Sequence, residues 1–227
     1  MKIFHYVSPW LLQTLIWIPT RIFLRVCYSY KVKGLKNLHE LKDNDNGVIF
    51  AVNHSSEMDP ILIPASLPFF SHFMPMFYVS REQSFYTTSG WRQHLYGGLF
   101  FRMWGAHTAY AGMKNYDVAL RYHIKILNMG KSICIFPEGK KTTDGTIRDG
   151  KPGVGFLVHR TECTVVPVRI HGLYKPTQER GFLWRPKLKV VFGKPMLAKD
   201  FYNNAKNITI DHYKEATKKV MDEIREL

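Results

Sequence analysis

The sequence predicts an α/β fold: a central, mostly parallel sheet flanked by helices and preceded by an N-terminal membrane-docking helical segment. Three observations carry that expectation. Short apolar runs recur along the chain, segments with apolar residues at helical spacing separate them, and polar loops follow several of the runs. Strands alternating with helical segments build a sheet with helices on its faces.

The first element is "VSPWLLQTLIWIPTRIFLRVCYSY" (Val7–Tyr30), rich in Trp, Leu, Ile and Phe. Its uncharged part stops at Thr20, short of the ~20 residues that cross a bilayer. Arg21 and Arg25 follow, four apart and so on one face of a helix. Apolar bulk, Trp10, Trp17 and one-sided arginines fit a helix lying in the interface. A basic residue near an anionic leaflet adds roughly 1 kcal/mol. A single span, or a first helix packed on its own domain, is the alternative reading. A cleaved signal peptide fits poorly, because no small-residue cleavage site follows the apolar stretch.

Residues 1–30 are therefore set apart from a single domain over 31–227, with no internal repeat or low-complexity linker. Gly47–Asn53, Phe73–Val79, Ser132–Phe136, Thr164–Ile170 and Lys187–Phe192 read as strands. Lys114–Asn128 carries Tyr116, Leu120, Ile124 and Leu127 at helical spacing before Gly130. Val154–Arg160 is a short helix. Ile210, Tyr213, Ala216, Val220 and Ile224 form the apolar side of a closing helix.

Composition narrows the function classes. With 45% hydrophobic residues in 227, a substantial core can form. A net charge of +14 points to anionic partners. The basic residues are scattered from Lys2 to Arg225 and the aromatics lie within apolar runs, which argues against nucleic acid and for an anionic membrane surface or phosphorylated substrate. Cys27, Cys134 and Cys163 are too few and too far apart for a disulfide framework, fit a reducing compartment, and read as small apolar fillers.

Two loops carry chemistry. "VNHSSEMDP" (Val52–Pro60) follows a strand and holds an imidazole five residues before a carboxylate. A continuous helix would rotate these two about 140° apart. Pro60 suits a helix's first turn, which makes Asp59 a natural N-cap and leaves His54 on a loop that can fold back towards it. The carboxylate would then fix the ring's tautomer and leave the other nitrogen free for a proton. "FPEGKK" (Phe136–Lys141) also ends a strand, where ligands of α/β sheets gather. "KPG" (Lys151–Gly153) and "VVPVRIHG" (Val165–Gly172) add further cations. Each loop alone fits a capped turn or a solvated salt bridge as well. No H-E-x-x-H, G-x-S-x-G or Walker A pattern occurs, so no catalytic metal and no serine nucleophile are expected.

In this order, "NHSSEMD", "FPEGKK", "KPG" and "VVPVRIHG" resemble the glycerolipid acyltransferases typified by 1-acylglycerol-3-phosphate acyltransferase, from about Lys33 to Gly172. The resemblance implies His54 as general base, Asp59 as its orienting acid, and Phe136, Pro137, Glu138 and Gly139 as acceptor-binding residues. It also implies a lysolipid acceptor, an acyl-CoA or acyl-carrier protein donor, no cofactor, and a peripheral or monotopic place on the cytoplasmic face of a membrane. Lys140, Lys141, Lys151 and Arg102 are the expected holders of the acceptor's anionic head. The sequence departs from the family pattern twice. Ala111 or a neighbour stands where an arginine for phosphate is expected, and Lys140-Lys141 replace Thr-Arg, keeping charge but losing the guanidinium fork. Another lysophospholipid or lyso-aminolipid acceptor, a CoA-independent transacylase and a non-catalytic lipid-binding protein are the alternatives.

Overall fold

The structure is a computed structural model that describes residues 4–41, 46–80, 99–110, 113, 115–175, 185–202 and 207–227. Helix α1 (Phe4–Cys27) leads into β1 (Ser29–Lys33), a 3-10 turn over Leu35–Leu41, β2 (Val48–Val52) and α2 (Asp59–Ser66). Then come β3 (Met76–Ser80), α3 (Leu99–Met103), β4 (Ala106–Thr108), α4 (Tyr116–Ala119), α5 (Arg121–Leu127) and β5 (Ser132–Ile135). The chain continues through α6 (Gly153–Thr161), β6 (Thr164–His171), β7 (Lys187–Phe192), α7 (Lys199–Tyr202) and α8 (Ile210–Glu226).

These strands form one sheet in the order β1-β7-β6-β2-β5-β3-β4. β6, β2, β5, β3 and β4 run parallel, while β7 is antiparallel to β6 and has β1 parallel beside it. Strand alternation sends Phe50, Val52, Tyr78, Cys134 and Val166 into one core and Ile49, Ala51, Phe77, Ile133 and Val165 into the other. Helices α1 and α2 cover the first face, and α5, α6 and α8 the second. Both faces being covered explains why the central strands read as continuous apolar runs.

Most expected elements recur with shifted edges. β3 begins at Met76, because Pro75 has no N–H for the ladder. The expected helix over Lys114–Asn128 is two short helices hinged at Leu120, whose φ of −113° is not helical; Lys114 lies outside the described residues. Asp59 is not the N-cap of α2: Met58 is, and Asp59 is the first helical residue. Cys134 and Cys163 are buried fillers, but Cys27 is exposed at the end of α1. Helices α6 and α8 meet at Gly155, where any Cβ would lie 2.3 Å from the Tyr213 carbonyl oxygen.

Helix α1 packs on the domain through an inner face of Ser8, Gln13 and Leu24. Gln13 is wholly committed: its amide donates to the Met76 and Trp104 carbonyls and its oxygen accepts from Met76 N–H. The arginine expected to face lipid also turns inward. Arg21 donates to the Ala65 carbonyl at 2.7 Å and stacks over Trp17, because a half-buried guanidinium needs a partner and finds one at the end of α2. The outer face is a stripe of Val7, Leu11, Leu15, Ile18, Ile22 and Val26, all exposed. Among the described residues, no helix is long and apolar enough to cross a membrane.

His123 of α5 is fully buried, and burial, with the His107 ring beside it, pushes its imidazole down to about 4. A folded-state value below the ordinary 6.5 means that the unfolded chain binds the extra proton first. Stability contributed by neutral His123 is therefore complete above pH 6.5 and lost as pH falls towards 4. His123→Leu should flatten the pH dependence of the urea midpoint between pH 7 and 4.5 by roughly 2–3 kcal/mol of unfolding free energy.

Candidate active site

The two motif loops leave neighbouring strands. β2 and β5 are paired in parallel, with Ala51 opposite Ile135. Three residues beyond that pair lie His54 on one strand's exit and Glu138 on the other's. The register persists past the sheet: the His54 backbone N–H donates to Glu138 Oε1 at 2.8 Å. The second carboxylate oxygen accepts from the Arg148 backbone N–H at 2.9 Å. Glu138, expected to bind acceptor, thus has both oxygens on backbone, is nearly buried, and braces the His54 loop against the loop after β5. Thr142 N–H closes the same seam by donating to the His54 carbonyl at 2.8 Å.

Asp59 orients the ring. It is completely buried, and its Oδ2 accepts from Ser55 N–H at 2.7 Å and Ser56 N–H at 2.9 Å while lying 2.9 Å from His54 Nδ1. An ionised carboxylate only accepts, so the bond places the ring proton on Nδ1. His54 Nε2 has no hydrogen bond to the protein among the described residues, and the side chain is 19% exposed. Phe136 stacks on the imidazole, with ring centres 4.2 Å apart and planes 20° from parallel. The ring is thereby held on one face and at one nitrogen.

Pro137 and Gly139 shape the turn. The Pro137 carbonyl accepts from Lys151 N–H at 2.8 Å, and Gly139 N–H returns to the Phe136 carbonyl. Gly139 has φ +71°, and a Cβ there would lie 2.9 Å from the Lys151 side chain. The cations fall into three places. Lys141 is 2.8 Å from Glu57, while Lys140 is exposed on the loop after β5. Lys151 lies over Gly139. Arg102 is not brought to this cluster. It precedes Ala106, which pairs with Tyr78 at the level of Cys134 and Phe50, so it sits at the opposite, amino ends of the parallel strands. Ala111 lies outside the described residues.

Three residues at the site carried no signal distinct from a turn or a strand. Asn53 is buried and clasps β6, its amide donating to the Ile170 carbonyl and its oxygen accepting from Ile170 N–H. Thr142 forms the seam just described. Tyr78 donates to the Pro60 carbonyl at 2.6 Å and so fixes the turn of α2 that carries Asp59. A cavity of about 180 Å³ opens beside His54, lined also by Asn53, Glu138, Thr142, Arg169 and Tyr174. Among the described residues, no group of three or more His, Cys, Asp or Glu is placed to hold a metal ion. Cys134, under the site, is no nucleophile: burial and the Asp59 charge push its thiol well above the ordinary range.

An acid-oriented imidazole braced against a glutamate loop at the carboxyl ends of two parallel strands defines the class. The chain belongs to the Acyltransferase family, whose profile matches residues 29–171. It is similar to the chloroplastic 1-acyl-sn-glycerol-3-phosphate acyltransferases LPAT1 of Arabidopsis thaliana and BAT2 of Brassica napus. The first is 25% identical over 198 residues, 86% of this chain and 49% of that protein. The second is 22% identical over 198 residues, 86% and 51% of the two. The chain thus spans about half the length of these relatives. Its fold is like that of the 1-acyl-sn-glycerophosphate (LPA) acyltransferase PlsC from Thermotoga maritima, with TM-score 0.59 and 20% identity over 94% of this chain and 78% of that one.

The Tyr78 bond makes a specific demand. Tyr78→Phe keeps the ring in the core but removes the hydrogen bond to Pro60. Urea denaturation should show the unfolding free energy lowered by about 0.5–1.5 kcal/mol, the worth of one ordinary hydrogen bond.

Proposed function

We propose that this chain is an O-acyltransferase that moves a fatty acyl group from acyl-CoA or acyl-carrier protein to the free hydroxyl of a lysolipid. 1-Acylglycerol-3-phosphate is the first acceptor, giving phosphatidic acid. The observation that carries this reading is His54 held by Asp59 through Nδ1 with Nε2 left open beside a cavity. Family membership and the acyltransferases that resemble the chain support it.

His54 Nε2 takes the hydroxyl proton as the oxygen attacks the thioester carbonyl. A C–O bond forms, the C–S bond breaks, and the imidazolium returns the proton to the departing thiolate. Asp59 stabilises the imidazolium and does not itself take the proton. The transfer is direct, without an acyl-serine, a reading supported by Ser55 being turned to the Asp59 carboxylate and Ser56 to the Met58 N–H. Lys140, Lys141 and Lys151 are the cations at hand for the acceptor's head. A lysophospholipid or lyso-aminolipid of different head group is the second reading, favoured by the hold of Glu57 on Lys141.

The lysolipid acceptor resides in a lipid surface, and the exposed α1 stripe is the face for it, on the cytoplasmic side of an anionic membrane. Phe69 packs on Trp17 of α1, and it and Phe70 add exposed apolar surface beside the stripe. The contact is peripheral, through apolar area rather than through Arg21.

His54→Ala should leave the chain folded with a somewhat lowered urea midpoint, as buried Asp59 loses one of its partners, and cut lysolipid-dependent thiol release from acyl-CoA roughly 10²–10⁴-fold. An active His54→Ala enzyme would reject the base. Thiol release without acceptor would indicate a hydrolase instead. Leu15→Glu combined with Ile22→Glu should lower binding to phosphatidylglycerol-containing vesicles about tenfold or more, without loss of helical circular dichroism, as both residues are exposed.

A further inference from the structure

The register that joins the motif loops has one more rung. Ala51 pairs with Ile135, His54 N–H meets Glu138, and three residues further Glu57 meets Lys141 at 2.8 Å. Glu57 lies two residues before the orienting Asp59, and Lys141 adjoins Thr142, whose N–H is on the His54 carbonyl. The pair therefore bridges the two catalytic loops at their outer rim. Its partners are 42% and 45% exposed, so water competes for both and the bridge opens easily. Arg148 is balanced in the same way, with Nη2 on the Thr143 hydroxyl and 3.8 Å from Asp144.

From this arrangement we infer that Glu57 is a specificity-determining residue that sets the charge of the accepted head group by competing for Lys141. The inference rests on the acyl-transfer reading, and it names as substrate class the amine-bearing lysophospholipids of the second acceptor reading over 1-acylglycerol-3-phosphate. A phosphomonoester carries a charge of about −1.5 to −2 near neutrality. To use Lys141 it must displace the Glu57 carboxylate and then lie beside it. A head group with an ammonium next to its phosphate satisfies both members of the pair. Glu57 thus disfavours dianionic acceptors and favours amine-bearing ones, where a neutral residue at the same place would leave Lys141 open to phosphate.

The test compares wild type, Glu57→Gln and Glu57→Asp on lysophosphatidic acid and lysophosphatidylethanolamine of one acyl chain. Equilibrium binding of each lysolipid and acyl-CoA-dependent turnover are measured side by side at low and high salt. Glu57→Gln should shift the ratio of the two affinities, and of the two kcat/KM values, towards lysophosphatidic acid by about five- to tenfold. The shift should lie in acceptor KM, shrink in high salt and be absent from Glu57→Asp. Equal losses on both acceptors, or a fall confined to kcat, would make Glu57 a mere loop brace and overturn the inference. A shifted binding ratio with no turnover by wild type would uphold the charge filter and sink acyl transfer. Turnover with an unmoved ratio would do the reverse.

Discussion

One buried carboxylate organises the catalytic end of this molecule. Asp59 has no exposed surface, and a buried charge without partners would be strongly unfavourable. Its Oδ2 gathers the Ser55 and Ser56 backbone N–H groups and the His54 ring. Those three bonds satisfy the charge and simultaneously fold the loop over Ser55–Met58 into one conformation. The imidazole is oriented because the carboxylate needs its proton, so stability and chemistry draw on the same contact.

Glu138 repeats the device on the adjacent strand. A second carboxylate goes below the surface and is satisfied by two backbone N–H groups, one from each loop. Both acids lie just past the ends of paired parallel strands, where the ladder stops and backbone groups would otherwise lack partners. Glu138 continues the ladder with its side chain, while Asp59 closes its own loop. The sheet's register therefore extends into the site, and the distance between base and glutamate loop follows from the pairing of Ala51 with Ile135.

The α/β class, most strands and the two motif loops were legible because fully buried strands read as apolar runs and their polar exits stand out. The roles inside the loops were less so. A carboxylate that binds substrate and one that binds backbone look alike in a sequence, and Glu138 proved to hold backbone. Asp59 beside Pro60 has the signature of a cap, yet the helix begins one residue earlier and the side chain turns back. Tyr78 and Asn53 were hidden because each acts across the sheet, 18 and 117 residues from its partner. Arg102 looked suitable on charge alone, which says nothing of the strand direction that sets its backbone ahead of β4 and apart from the two motif loops. Arg21 was read as a lipid-facing cation, since helical spacing gives a face but not which way that face looks.

These contacts divide the site into two regimes. His54, Asp59, Glu138 and Phe136 are tied by backbone, by burial or by stacking, so their geometry is set before any substrate arrives, as the proposed base at His54 would require. Lys140, Lys141, Lys151 and Glu57 sit outside on flexible stems in water, where each interaction is weak and can be exchanged for another. A substitution in the first set would lose the reaction, whereas one in the second would redirect it. Replacement of a Thr-Arg pair by two lysines, with a glutamate facing the second, is thus a change that this architecture tolerates without disturbing the imidazole. On the proposed reading, the head group is read at the rim, and the proton is moved beneath it.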